Sequence, residues 1–336
     1  MLKNIHPNLD YRASDREFWN EELDKFVPDK IFDCHIHMFN KEALYHKYRS
    51  ECQIADADFK LIKNYHELVF PDRRVNSLYL GFPKLGTDTA KHNEFMYQQT
   101  LKDSYSVMNR LTTPDCTIED IKRDINRGFV GLKIYRIYSV TGDAANCRIH
   151  EFLTHEQMEL ANELGLWVTL HMSRSDGCGD EENLKDLEEY TTKRYPNIKW
   201  ILAHCARSFT YEPIRKAVDR LKDMPNIYYD LSAVTDVRPF ITLFQKENLN
   251  RIFYGSDGVD STSYHGTYGA FGRSWQSIDH DKLDIPFKHT NNRPILCLYE
   301  QLLSIKHAAE IAQLGESDID KIFWSNAYRE FNISFD

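Results

Sequence analysis

No stretch of the sequence approaches the roughly 20 consecutive apolar residues that a membrane-spanning helix needs. The opening segment, MLKNIHPNLDYRASDREFWNEELDKF, also lacks an apolar core of signal-peptide length. A membrane partner is therefore not expected, and a cytoplasmic location is. Long blocks of like charge are missing too, and acidic residues outnumber basic ones by 51 to 42, for a formal net charge of −9. Such a chain has little to offer a phosphate backbone, so nucleic acid is not an expected partner. CxxC spacing is absent among the seven cysteines (34, 52, 116, 147, 178, 205 and 297). Their odd number argues for reduced thiols filling small buried spaces rather than a disulfide framework. Cys178, in the glycine-flanked run SDGCGD, is the one expected nearest solvent. No internal repeat, low-complexity tract or Pro/Gly/Ser-rich linker breaks the 336 residues. A single domain over 1–336 is the expectation, since a closed α/β barrel commonly uses about this length.

What is present is a recurring alternation. Eight short apolar or β-branched runs can be named: KIFDCHIH (30–37), VNSLYLGF (75–82), SYSVMNRL (104–111), FVGLKIY (129–135), LWVTLHM (166–172), KWILAHC (199–205), NIYYDLS (226–232) and RIFYGSD (251–257). Between them lie amphipathic segments such as TIEDIKRDINRG, THEQMELANELG, ENLKDLEEYTTKRYP and EPIRKAVDRLKDMP, several ending in Gly or Pro. Eight βα units predict a (β/α)8 TIM barrel with parallel strands. The third run is the weakest, because it could continue the helix begun at HNEFMYQQTLKD. Long loops follow the first strand (39–74) and the eighth (258–295), and loops of that size tend to be functional. The segment SDIDKIFWSNAYREF predicts a final helix closing the barrel, with Asn326 as a brace.

Active sites of such barrels sit at the carboxyl ends of the strands. His35 and His37 end the first run, and i, i+2 spacing turns both imidazoles to one side of a strand. His171 closes the fifth run, His204 the sixth and Asp257 the eighth, each between an apolar run and a polar loop. Imidazoles with a carboxylate suit a catalytic zinc or related transition metal, whereas structural zinc favours thiolates.

The segments FDCHIHMF, GLKIY, WVTLHMSR, YPNIKWILAHCARSF, IYYDLS, RIFYGSD and WSNAYRE together resemble the amidohydrolase superfamily. The likeness is to its branch of metal-dependent hydrolases related to aminocarboxymuconate-semialdehyde decarboxylase, and it spans nearly the whole chain. The resemblance implies one divalent ion held by His35, His37, His171 and Asp257. Zinc is the expected ion, with manganese or iron accepted by overlapping ligands. It also implies His204 beside the ion as an acid/base or oxygen-polarising group, with a further ligand role as the alternative, and it permits a homodimer. Lys133 stands where two-metal relatives place a carboxylated lysine; binding a substrate carboxylate as an ammonium is the favoured alternative.

Arg174 and Arg207 each follow a site histidine by three residues, and Arg110 and Arg136 hold comparable positions after the third and fourth runs. Fork geometry suits Arg to clamping a carboxylate, so Lys133, Arg136, Arg174 and Arg207 are the substrate-binding candidates and a small carboxylated molecule the expected substrate. Metal activation of water, with Asp257 and His204 moving protons, predicts hydrolysis of an amide, ester or lactone. Non-oxidative decarboxylation on the same residues is the alternative, and a non-catalytic binding barrel the third reading. Asp33 is expected to orient a ligand imidazole or to serve folding as a buried, hydrogen-bonded carboxylate. His92, His265 and His289 are read as solvated loop histidines, His265 with Tyr264, Tyr268 and Phe271 being best placed to line a pocket.

Overall fold

The computed structural model describes residues 10–44, 56–283 and 293–333. Nine strands form one curled sheet: β1 (Lys30–Asn40), β2 (Asp56–Ala57), β3 (Arg74–Gly81), β4 (Val107–Leu111), β5 (Gly131–Tyr135), β6 (Trp167–His171), β7 (Lys199–Leu202), β8 (Ile227–Asp230) and β9 (Ile252–Phe253). Their order is β2-β1-β3-β4-β5-β6-β7-β8-β9, with every neighbour parallel except the short β2. The eight parallel strands are those of the eight sequence runs, so the barrel prediction holds. Closure is completed by backbone bonds between β1 and the segment after β9: Cys34 N to Tyr254 O (2.9 Å), Asp257 N to His35 O (2.7 Å) and His37 N to Gly258 O (3.0 Å). Gly255 permits this seam, because a Cβ there would stand 2.9 Å from that of His35.

Several boundaries differ from the sequence reading, among them that of the sixth run, whose strand ends at Leu202 so that His204 lies beyond it. The third strand begins only at Val107, after a separate helix at Thr89–Thr100. The eighth is two residues long, so Asp257 lies beyond it rather than on it. The amphipathic segments form the helices Ile118–Asn126, His155–Leu164, Glu181–Glu189 and Tyr211–Leu221. Thr117, Thr154 and Asp180 accept from first-turn backbone amides, as helix N-caps do.

Trp167, Thr169 and His171 alternate on one face of β6, so floor and mouth are layers of one interior. The floor is a distinct apolar cluster that includes Phe32, Leu78, Leu80, Trp167, Ile201 and Phe253, capped by Tyr328 and Phe331 of the C-terminal segment. Asn326 braces that segment as expected: its buried amide donates to Leu249 O (2.7 Å) and Ile252 O (3.0 Å). Asn326→Ala strands two carbonyls at about 1–3 kcal/mol each, so urea unfolding should show about 2–6 kcal/mol less stability; a change under about 0.5 kcal/mol would deny the brace.

The loop after β9 holds a second, two-stranded antiparallel sheet, β10 (Gly266–Phe271) and β11 (Ser274–Asp279). Gly272, at φ +67, opens its two-residue turn, the position that a type II′ hairpin reserves for glycine.

Several single-residue expectations are corrected. Cys178 is fully buried against Ser208, and Cys116 is the more exposed thiol. The SDGCGD run folds as a tight turn packed under the helix at Tyr211–Leu221, where a Cβ on Gly179 would meet Pro213. His92 is buried in a helix and receives the Phe82 amide. His265 is buried against Asp15 at 2.9 Å, and Phe271 is exposed. Arg110 lies on the outer face of β4, 3.0 Å from the carboxylate of Asp124 on a surrounding helix, and is no clamp. Cys52, His289 and parts of both long loops lie outside the described residues.

Candidate metal centre and active site

The carboxyl ends of β6 to β9 share an irregularity. Arg174, His204 to Arg207, Ala233 and Asp257 all have φ between +52 and +63, in the left-handed region that costs an L-residue roughly 1–2 kcal/mol. Four such residues in succession, His204, Cys205, Ala206 and Arg207, make a left-handed turn directly after β7. The turn is held by Asp230, whose Oδ1 accepts from the His204 amide at 3.1 Å, and it presents both His204 and Arg207 to one pocket. A register shift in β1 between Asp33 and Ile36 places an extra residue beside β3, a bulge of the kind that re-aims side chains at active sites.

The pocket is about 300 Å³ and brings together His35, His37, Lys133, Arg136, His171, His204, Arg207 and Asp257. His35 Nε2 and His37 Nε2 each stand 3.5 Å from Asp257 Oδ1. Two ligands on one tetrahedral zinc, each about 2.0–2.1 Å away, are separated by about 3.4 Å. His171 lies among the rings, 5.1 Å from His204 and 4.5 Å from Tyr135 between centroids, outside the tight group of His35, His37 and Asp257.

Hydrogen bonds fix the tautomers, since carbonyls and carboxylates can only accept. Nδ1 of His35 donates to Asp230 Oδ2 (2.8 Å), that of His37 to Gly81 O (3.2 Å) and that of His171 to Met172 O (3.2 Å). The Ser232 hydroxyl donates to Asp230, so His204 Nδ1 donates to Ser232, through Oγ at 2.9 Å and the carbonyl at 3.1 Å. Each of the four imidazoles thus keeps its Nε2 lone pair free for the pocket. Burial above all, then nearby positive charge, holds His35, His37 and His171 far below the ordinary histidine range and His204 down at about 4. They are neutral, the form in which imidazole binds metal. Burial also pushes the Asp257 carboxyl up and the Lys133 ammonium down, and each charge partly offsets the other's cost.

Lone pairs and a carboxylate facing one pocket favour a cation, and His35, His37 and Asp257 lie close enough together to hold a divalent metal. Lys133 supplies part of that charge here, with Nζ 3.3 Å from His35 Nε2.

Asp230, absent from the sequence reading, is the central support. Its two oxygens receive His35 Nδ1, the His204 and Ser232 amides and the Ser232 hydroxyl. The same signal that marked Asp257, a carboxylate ending an apolar run, was present in NIYYDLS. Groups that orient metal ligands typically contribute 10–100-fold to affinity. Asp230→Asn should therefore weaken zinc binding about 10–100-fold in competition with a chelating dye; unchanged affinity would show that the tether is not needed. Asp33 takes the folding role of its two readings: its oxygens receive the amides of His35 (3.1 Å) and Ser256 (2.9 Å), the Ser256 hydroxyl and His66, not a ligand imidazole.

Arg136 and Arg207 point into the pocket, and among the described residues neither is paired with a carboxylate. Burial, reinforced by the charge of Arg136, lowers Arg207 to about 10. Arg174 does not join them. Its left-handed backbone turns the side chain to 3.5 Å from Asp180, and its carbonyl accepts from Arg207, so it positions that guanidinium instead of lining the pocket.

The family model for amidohydrolases matches residues 32–333. The chain belongs to the amidohydrolase family. This amidohydrolase gathers its histidines at the mouth formed by the carboxyl ends of its strands. No curated protein matches the chain. Among solved structures, it resembles an Acinetobacter baumannii protein described as a probable 2-pyrone-4,6-dicarboxylic acid hydrolase with citric acid bound, at 12% identity over 90% of this chain and 99% of that one, TM-score 0.58. It also resembles 4-oxalomesaconate hydratase from Rhodopseudomonas palustris, at 14% identity over 90% and 95%, TM-score 0.56. A third is a dihydroxybenzoic acid decarboxylase from a Polaromonas species with bound manganese and 2-nitroresorcinol, at 15% identity over 93% and 98%, TM-score 0.56. At such identities the likeness is one of fold. No helix among the described residues is long and apolar enough to cross a membrane.

Proposed function

We propose that this amidohydrolase is a metal-dependent hydrolase that cleaves a C–N or C–O bond, in an amide, ester or lactone, of a small carboxylated substrate. The observation that carries the reading is a neutral His204, its Nε2 lone pair turned to the pocket, in one pocket with two guanidinium groups that have no carboxylate partner among the described residues. A divalent ion at His35, His37, His171 and Asp257, zinc by its donor set, would supply Lewis acidity and lower the pKa of water from about 15.7 to about 7. Arg136 and Arg207 hold the substrate carboxylate and orient the scissile bond. His204 Nε2 takes a proton from the attacking water, while Nδ1–H stays with Ser232, and the same nitrogen returns the proton to the departing amine or alkoxide. Asp257 accepts hydrogen bonds from the reacting water beside His204.

The similar structures named above include a protein described as a probable hydrolase, a hydratase and a decarboxylase. Two features favour hydrolysis over decarboxylation. A guanidinium clamp stabilises a carboxylate in the ground state, which suits a carboxylate used as a handle and opposes its departure as carbon dioxide. Decarboxylation also ends with protonation of carbon, and the neutral His204 holds no proton on its pocket-facing nitrogen. The test is a screen of carboxylated lactones, amides and unsaturated acids with the zinc-loaded protein, following acid release and carbon dioxide release side by side. Acid release without carbon dioxide supports the proposal; carbon dioxide from any of these acids replaces it with the lyase reading.

A further inference from the structure

The hairpin of β10 and β11 crosses the mouth of the pocket. Its base is tied to the N-terminal segment: His265, immediately before β10, is buried 2.9 Å from Asp15, and Arg12 is paired with Asp281 just past β11. Midway, Thr235 of the loop after β8 bonds Thr267 (2.7 Å) and the Tyr268 carbonyl (2.9 Å). Its tip reaches the helix at Tyr211–Leu221, where Arg273 Nε stands 2.7 Å from Glu212. The strap therefore spans the carboxyl ends of β7, β8 and β9, above His204 and Asp257.

An isolated two-stranded hairpin is marginally stable by itself, so its position depends on what it rests upon. Besides the polar ties at its base, middle and tip, it rests over the pocket on one aromatic stack. Trp275 of β11 lies on Phe209 with ring centroids 4.1 Å apart and planes at 22°. Tyr268 of β10 closes the group, 5.3 Å from Phe209 and 6.0 Å from Trp275. Phe209 in turn is 5.4 Å from the His204 ring. Trp275, Tyr268 and Phe209 all line the pocket, and Trp275 keeps 37% of its surface exposed, unlike the buried Phe209. The cavity below is about 300 Å³, at the lower bound of ordinary ligand pockets, which run from about 300 to 1,000 Å³. The indole is the largest side chain at its rim, and with Tyr268 it is borne on the separate two-stranded element.

We propose that this hairpin is the specificity element of the enzyme, with Trp275 as the residue that caps the pocket and sets the largest acid admitted. Its identity as a cap for acids rests on the carboxylate-binding function proposed above; its identity as a cover does not. The strap takes its place when Trp275 meets Phe209, closing the pocket over a ligand held by Arg136 and Arg207. A second ring on the ligand would occupy the volume that the indole fills.

Two measurements test this on the full-length, zinc-loaded protein. The first is calorimetric titration of benzoate and 2-naphthoate into wild type, Trp275→Ala and Trp275→Phe. Wild type should bind benzoate at least tenfold more tightly than 2-naphthoate. Trp275→Ala should bring the ratio to one or below, and Trp275→Phe should fall between. A ratio unchanged in Trp275→Ala while wild type binds benzoate overturns the size limit and leaves the carboxylate site standing. If wild type binds neither acid, the acid-cap assignment falls together with the carboxylate site. The second measurement needs no ligand: the rate at which diethyl pyrocarbonate modifies His204, read by peptide mass spectrometry. It should rise at least fivefold in Trp275→Ala. An unchanged rate overturns the cover whatever the pocket binds.

Discussion

Asp257→Asn is expected to empty the metal centre and to reduce kcat/KM by about 10³-fold, the roughly 4 kcal/mol that a lost Lewis-acid metal would cost. Among the described residues the carboxylate is the one anion within 3.5 Å of both His35 Nε2 and His37 Nε2, and its replacement by a neutral amide removes the charge that would offset a divalent cation in a buried pocket. Elemental analysis should give well under one zinc per chain, alongside wild-type far-ultraviolet circular dichroism. Full zinc occupancy with near-normal turnover would remove Asp257 from the site. The barrel need not unfold, because the seam bond at this position uses the Asp257 backbone amide, which the substitution keeps.

Removing the clamp should affect binding more than chemistry. Each hydrogen bond to a charged group is worth about 1.5–3 kcal/mol, so Arg136→Met with Arg207→Met should raise KM about 10²–10⁴-fold. The effect on kcat should stay within about tenfold, the pattern of lost uniform binding. Arg174→Met should raise KM less than either single clamp variant, because Arg174 reaches Arg207 only through its backbone carbonyl. Steady-state kinetics on the acid found by the screen decide it: a fall in kcat with KM unchanged would place the guanidinium groups at the reacting bond instead of at a handle.

The fold and the histidine cluster were legible in the sequence for a common reason. Parallel strands buried on both faces read as apolar runs, and a polar residue ending such a run stands out, as His171 does after WVTL and Asp257 after RIFYGS. What was not legible depends on distance in the chain and on backbone conformation. Asp230 supports His35 from 195 positions away, a relation that no local pattern encodes. The left-handed turn at His204 to Arg207 contains neither glycine nor asparagine, so AHCARSF reads as an ordinary strand end while its backbone separates Arg207 from Arg174. Arg207 and Arg174 hold the same offset from a histidine, and only one reaches the pocket. Equally, His92 and His265 were assigned to solvent from their surroundings in sequence, whereas Phe82 N and Asp15 bury them.

The seam that closes the barrel has a further consequence. His35 and His37 come from the first parallel strand and Asp257 from just beyond the last, so an ion gripping all three acts as a rivet between segments more than two hundred residues apart. Occupancy and cohesion become one equilibrium: a ligand at 100 times its dissociation constant adds about 2.7 kcal/mol against unfolding. An ion bound there would thus add cohesion to the cylinder with the same contacts that serve the chemistry.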